Sequence, residues 1–383
     1  MAGLYLHIPF CRQACHYCDF HFSTSLAKIN PMIQAMKSEL KLRATEWKDE
    51  CFETLYFGGG TPSLIAPELL SELIEAAISS LHFESELEVT LECNPEDIDE
   101  ASLEAWRSLG VNRLSIGIQA FDDHALTLMN RIHDAAGAKY ALELATTYFE
   151  RISVDLIYGI PGRSDAQLMD DLSTLLDFGI THVSAYALTV EPQTALERFI
   201  AKGVIDPIDE EQAARQFNLI MDRLEEAGFL HYELSNYALP GHESRNNSAY
   251  WMRKPYLGIG PGAHSFKEHE RRWNISNNPT YIRALKDGTS FFETETLSKR
   301  DHYNEYVMTA LRTHWGVSLG YLTTTFGRAF KDYFTMISTP FILDNLLFED
   351  EGVIRATRKG KFLVDGIASE LFMLELQSPK DED

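Results

Sequence analysis

A chain of 383 residues has room for about two domains. Its 57 acidic against 34 basic residues leave a net charge of −23, so most of its surface would repel a phosphate backbone and nucleic acid is not an expected partner. No run approaches the ~18 apolar residues of a membrane span and no leader-like segment opens the chain, which points to the cytoplasm, with membrane contact at most peripheral.

Short apolar runs alternate with amphipathic stretches. "LYLHI" (4–8) reads as a strand, followed by a cysteine-bearing segment and a helix near 31–46. Strands "TLYFG" (54–58), "LEVTLE" (87–92), "RLSIGI" (113–118), "SVDLIYG" (153–159) and "VSAYALT" (183–189) follow, separated by helical stretches near 66–81, 99–109, 122–148 and 164–178. The alternation predicts an α/β fold with a parallel sheet, as an open sheet or a partial (β/α)6 TIM-like barrel. Beyond it, 204–227 reads as a helix, 229–238 as one further strand and 239–280 as a polar and aromatic loop. Helices near 300–313, 317–325 and 328–337 precede two short strands flanking "RKGK" and a last helix, a smaller C-terminal α+β module of winged-helix type. The expected division is 1–285 for the barrel with its extension and 286–383 for the C-terminal domain, with a disordered tail over about 377–383.

Polar and glycine-rich clusters fall directly after the strands: Cys11 to Cys18, "GGGTPS", "ECNP", "GIQAF", "YGIPG" and "TVEPQT". Parallel folds bind ligands at the carboxyl ends of their strands, so these clusters converge on one rim. Within "HIPFCRQACHYCDFHF" (7–22) the spacing of Cys11, Cys15 and Cys18 is C-x3-C-x2-C. Zinc is one reading, with His7, His16 or His21 as fourth ligand, but no second Cys/His knuckle is present. Inert thiols are another, though exposed thiols are a liability. The third is a [4Fe–4S] cluster on three thiolates, leaving one iron open to a substrate such as S-adenosylmethionine. Spacing and strand-end placement favour the third.

With these residues in view, the chain resembles the radical S-adenosylmethionine superfamily, whose signature is this cysteine spacing. "LYLHIPFC", "YFGGGTPS", "LECNPED", "SIGIQAF", "RIHDA", "DLIYGIPG", "LGIGPGAHSF" and "FLVDGIASELF" are similar to the oxygen-independent coproporphyrinogen III oxidase family, and within it to the HemW branch of haem chaperones. The resemblance implies a [4Fe–4S] cluster on Cys11, Cys15 and Cys18. It places S-adenosylmethionine against Tyr5, Tyr17, Gly59, Gly60, Thr61, Glu92, Gln119, Arg131, Asp155 and Ala187. Gly59 and Gly60 would let the backbone approach the methionine amino group, Glu92 would accept from the ribose hydroxyls, and Asp155, inside an apolar run, requires a partner. Cys51 and Cys93 match no cluster ligand and read as core thiols. No catalytic residue is assigned. Implied partners are haem or a porphyrin, a haem-accepting protein, and a reductant such as a flavodoxin or ferredoxin.

Two departures bear on the branch. The oxidases carry a further cysteine two residues after the third ligand, where this chain has Phe20, and they extend further on the N-terminal side of the motif. Both features favour the chaperone over the oxidase. The chaperone branch in turn commonly shows "HNxxYW"; here "RNNSAYW" puts Asn246 in the place of the histidine. Asparagine is a poor haem-iron ligand, so His242 or His264 would have to act, with Arg245 on a propionate and Tyr250 and Trp251 stacking on the macrocycle.

Overall fold

The computed structural model describes residues 1–374; the tail over 377–383, expected to be disordered, lies outside the described residues. Six strands run parallel in sequence order: β1 (Ala2–Ile8), β2 (Cys51–Gly59), β3 (His82–Cys93), β4 (Arg113–Gln119), β5 (Ile152–Tyr158) and β6 (His182–Ala187). Between them lie α1 (Ile29–Arg43), α2 (Pro67–Ser80), α3 (Glu100–Ser108), α4 (Asp123–Leu128), α5 (Ala135–Tyr148) and α6 (Asp165–Asp177). The expected single helix over 122–148 is two. Asn130, in the left-handed region (φ 59°), follows the first, and the Asp134 carboxylate accepts from the Gly137 N–H to cap the second. Strand alternation divides the side chains. Leu55, Phe57, Leu91, Leu114, Ile116, Val154 and Leu156 join the apolar core. Their neighbours Tyr56, Thr90, Glu92, Ser115, Ser153, Asp155, Ser184 and Tyr186 turn the other way and line a small polar cavity.

Both sheet edges are extended by antiparallel strands. After α7 (Ala195–Ala201) and α8 (Glu210–Glu226), the stretch expected as one strand over 229–238 is a hairpin, β7 (Leu230–Glu233) and β8 (Asn236–Ala238), and β8 pairs with β6. The stretch expected as a loop over 239–280 is structured. It holds α9 (Arg245–Trp251), β9 (Tyr256–Ile259), β10 (His264–Lys267), β11 (Glu270–Asn274) and the start of α10 (Asn278–Asp287). With β12 (Phe292–Thr296) these strands carry the sheet outward from β1 to a total of twelve. Strands this short, such as "HSFK" and "ERRWN", have no apolar alternation to announce them. The helix α9 sits at the amino ends of the parallel strands, where the Arg245 and Asn246 N–H groups donate to Glu88 Oε1 (3.0 and 3.3 Å).

The C-terminal part builds its own core from Tyr303, Val307, Leu322, Phe334, Ile354 and Ile367. Its elements are α11 (Lys299–Leu311), β13 (Val317–Ser318), α12 (Leu319–Tyr321), α13 (Arg328–Leu343), β14 (Leu347–Asp350), β15 (Val353–Ala356), α14 (Arg358–Lys361) and α15 (Val364–Glu370). Two expectations are corrected. The helix over 317–325 begins as strand β13 and continues as one turn and a wider coil over 322–326. "RKGK" is not a hairpin turn but α14, capped by Thr357; the hairpin turns earlier, at Glu351 and Gly352, both with positive φ. Among the described residues, no helix is long and apolar enough to cross a membrane.

Candidate functional site

The segment bearing Cys11, Cys15 and Cys18 leaves β1 at the carboxyl end of the sheet. It closes on itself through Cys11 N–H to Ser23 O (3.1 Å) and Ser23 N–H to Pro9 O (2.9 Å). Its middle is tied to the turn after α4. His16 N–H donates to Met129 O (3.1 Å), and the Asn130 amide donates to Ala14 O (2.7 Å). Arg12 pairs with buried Asp97 (2.8 Å), which also accepts from Ser63 Oγ (2.8 Å). The loop is therefore fixed from several strand ends, while its three thiols stay free and only partly buried.

These thiols fit a cluster better than a zinc ion. The nearby histidines have other partners: His16 with Leu128 O (2.7 Å), His21 with Asn278 Oδ1 (2.7 Å), and His7 with Tyr5 Oη and His21 O. Burial pushes the Cys11 and Cys18 thiols up to about 11, so their thiolates need positive charge close by. Arg131 brings one such charge: its Nη1 lies 3.4 Å from Cys15 Sγ. Its Nη2 donates to Asn94 Oδ1 (2.6 Å) and Gly117 O (2.8 Å), and its buried Nε has no partner. Burial alone would lower this guanidinium's affinity for its proton, but Tyr17 and Cys15 beside it raise it.

The other expected cofactor residues gather around this loop. Tyr17 packs on the apolar group of Leu126, Met129 and Ile157. The Thr61 N–H donates to Phe10 O (2.7 Å). The glycines also have a local reason. A Cβ on Gly60 would fall 2.5 Å from Phe10 O, and one on Gly59 (φ 112°) 2.7 Å from the His7 ring. Small residues here let β2 close against the start of the cysteine loop. Gln119, also at positive φ (70°), is buried at the end of β4, and Ala187 ends β6 opposite Tyr158.

Two carboxylates face the polar interior. Glu92 accepts from Tyr56 Oη (2.8 Å) and from the Gly59 N–H (3.1 Å). Burial lifts it to about 7, against those two hydrogen bonds. Asp155 is lifted by burial to about 6, and its partner is the Ser184 hydroxyl. Tyr5 reaches His7 Nδ1 (3.2 Å) and lies against Tyr56, 5.9 Å between ring centres. Sequence reasoning missed Tyr56, Asn94, Asp97, Asn130 and Ser184. The first three stand in or beside "YFGGG" and "ECNPED", where strand-end position was the available signal.

The residues considered for haem lie elsewhere. Asn246 is buried at the amino ends of the strands, its Oδ1 accepting from Thr54 Oγ1 (3.3 Å). Arg245 donates to Glu86 O (2.6 Å). The His242 carbonyl accepts from Arg113 (3.1 Å), and its buried Nδ1 has no partner. Tyr250 packs edge-on against Tyr256, and Trp251 lies under the Arg312 guanidinium (5.1 Å). His264 lies beside Trp273. Cys93 is buried and Cys51 only partly so.

Residues 5–175 match the radical SAM superfamily, and residues 297–363 match the HemN C-terminal domain. The chain is 31% identical to the heme chaperone HemW of Bacillus subtilis over 95% of this chain and 97% of that one. It is 34% identical to heme chaperone HemW of Mycobacterium tuberculosis, over 96% and 94%. Among solved structures, coproporphyrinogen III oxidase (HemN) from Escherichia coli superposes with a TM-score of 0.85 at 22% identity, over 97% of this chain and 90% of that one. That likeness establishes the fold.

Proposed function

Since this chain belongs to the radical SAM superfamily and, within it, to the HemW family, we propose that it is a heme chaperone: it binds haem and passes it to a haem-requiring protein. The observation that carries the reading is 31% and 34% identity to HemW proteins over 95% and 96% of this chain, with the cysteine loop at the sheet's carboxyl rim.

Membership in the superfamily implies S-adenosylmethionine and a [4Fe–4S] cluster. Cys11, Cys15 and Cys18 would hold the cluster, since their thiols are free and the neighbouring imidazoles have other partners. When bound, the pair supplies one-electron cleavage of the sulfonium to a 5′-deoxyadenosyl radical. Arg131 offsets thiolate charge at Cys15. Glu92, already oriented by Tyr56 and the Gly59 N–H, offers its carboxylate to ribose hydroxyls, and each donated hydrogen bond favours its ionised form. Asp155 stays oriented by Ser184 on the facing wall. Phe20, 68% exposed, leaves an apolar group beside the loop.

The interior cavity measures about 60 Å³. Small-molecule sites run from about 300 Å³ upward, so this volume falls short of S-adenosylmethionine and of a porphyrin alike and does not separate the two readings; Phe20, where the resembling oxidases carry a further cysteine, favours the chaperone. The test is anaerobic reconstitution, followed by haem titration and a coproporphyrinogen III assay. A saturable Soret shift with no porphyrin formed is expected; conversion of coproporphyrinogen would replace this reading with the oxidase.

A further inference from the structure

A crevice of about 360 Å³ lies between the barrel edge and the C-terminal part. It is framed by β7 and the end of α8 on one side, and by the end of α11, the β14–β15 hairpin and α14 on the other. Its size falls within the about 300–1,000 Å³ typical of small-molecule sites. Leu234, Leu311 and Val364 give it apolar walls, and Phe348 stands at its edge, 41% exposed.

Its charge runs against that of the chain. Arg312, Arg355, Arg358 and Lys361 line it, against Glu225 and Glu233. In a protein of net charge −23, cations outnumber carboxylates on the lining itself, and the carboxylates that answer three of them, Asp222, Asp365 and Asp350, do not line the crevice, which makes it a candidate anion site. Two of these cations are committed: Arg358 to Asp222, and Arg312 to Asp365. Two are not. Lys361 is partly buried, donates to His231 Nδ1 (2.9 Å), and pairs with no carboxylate among the described residues. Arg355 pairs only with the exposed Asp350, at 3.4 Å, and such pairs are weak, while its Nε donates to His314 O (2.9 Å) and so holds the guanidinium beside that residue. Inside the crevice, Arg312 Nε and Glu233 Oε2 are buried without a hydrogen-bond partner.

His314 completes the set. It lines the same crevice, its ring lies beside Trp315 (4.6 Å), and no described residue hydrogen-bonds either ring nitrogen. Haem asks of a protein an axial nitrogen, a flat apolar contact and cations for two propionates. Taking the chain as a haem carrier, we propose that this crevice is the haem seat, with His314 on the iron and Lys361 and Arg355 on the propionates. Trp251 of α9, stacked on Arg312, then braces the seat from behind and does not itself touch the macrocycle. One edge of the ring stays open to solvent, as transfer to another protein requires.

The experiment titrates haem into the reconstituted full chain and into His314→Ala, Lys361→Glu and His242→Ala, with iron content and melting temperature as folding checks. Lys361→Met serves if the charge reversal does not fold; His314 is on the surface, so its loss should not threaten folding. A saturable Soret shift in wild type, weakened on the order of tenfold or more in both His314→Ala and the Lys361 variant, is expected. Iron-free protoporphyrin IX should bind wild type and His314→Ala alike, since it keeps the propionates and lacks the metal. Unchanged haem affinity in both crevice variants overturns the proposal, and does so most pointedly if His242→Ala alone loses binding; the haem-carrier reading then stands. No saturable shift in wild type removes the carrier reading and the seat together.

Discussion

At the amino ends of β2 and β3 the buried carboxylates pair with cations; Glu92 near the carboxyl end of β3 and Asp155 in β5 form no ion pair among the described residues, and of the two only Asp155 feels a cation, Arg131. Glu53 has Lys254 and Arg245 beside it, and Glu88 has Arg113 and Arg151 at 4.0 and 3.9 Å, while also accepting from two N–H groups of α9. That end pairs its charges within the protein and is closed by a helix, although Glu88 Oε2 and Arg113 Nη2 make no hydrogen bond there. Glu92 and Asp155, at the other end, are served by hydroxyls and one backbone N–H, and burial lifts both. A carboxylate removed from water without a cation resists ionising until something donates to it. The same sheet therefore carries a structural end and an end left incomplete for a ligand. The three thiols and the two raised carboxylates fall at the second.

The largest expected effect tests the incomplete end. Cys15→Ala removes the thiol that faces Arg131, and the reconstituted protein should lose its broad absorbance near ~400 nm and most of its iron. Cys51→Ala should keep both. The fold itself should change little in Cys15→Ala, by about 1 kcal/mol or less, because the side chain is only partly buried and Arg131 keeps its bonds to Asn94 and Gly117. An iron-loaded Cys15→Ala protein would erase the distinction between the two ends.

The six parallel strands and the rim were legible because hydrophobic runs of about seven residues recur with helices between them. The three-cysteine spacing named the chemistry for the same reason: it is local. What failed to show in the sequence depends on distant partners. α9 hides in "RNNSAYW", which has no helical apolar stripe, and it forms where Ser244 caps it and Glu88, 157 residues away in sequence, receives its first N–H groups. Asn246, expected near haem, is buried against Thr54, a contact 192 residues long that no window of the sequence contains. "RKGK" resembles a turn because of its glycine. Gly360 is instead required because a Cβ there would fall 1.9 Å from Leu346 O.

The next effect tests the structural end. Glu88→Ala would strand Arg113, whose side chain is 2% exposed, and would leave the start of α9 without its acceptor. Removing one partner of a buried ion pair costs about 3–5 kcal/mol. The distances of 3.9 and 4.0 Å are longer than hydrogen bonds, so the lower part of that range is expected. Chemical denaturation should show the loss, and Glu88→Gln, which keeps an acceptor for α9, should recover part of it. Protein that remains folded should take up iron as wild type does. Iron loss in step with stability loss would mean that the two ends are not separate in function.

The smallest effect distinguishes the ends by pH. Glu92 is lifted from an ordinary 4.5 to about 7 in the fold, with burial the main cause. Between those values the folded chain keeps a proton that the unfolded chain has released. Stability from this group is thus fully present below 4.5, falls as pH rises, and has been lost once pH exceeds 7. A tenfold change in proton affinity between the folded and unfolded chain corresponds to about 1.4 kcal/mol. The side chain borders a cavity and is partly accessible, so a total of about 1–2 kcal/mol is expected. Glu92→Gln keeps an acceptor for Tyr56 and cannot ionise. Measured on apo protein by denaturant midpoint at pH 5.5 and pH 8, wild type should lose more stability than Glu92→Gln over that interval. Parallel pH profiles for wild type and Glu92→Gln would show that the rim carboxylate is already paired, and that this end is as complete as the other.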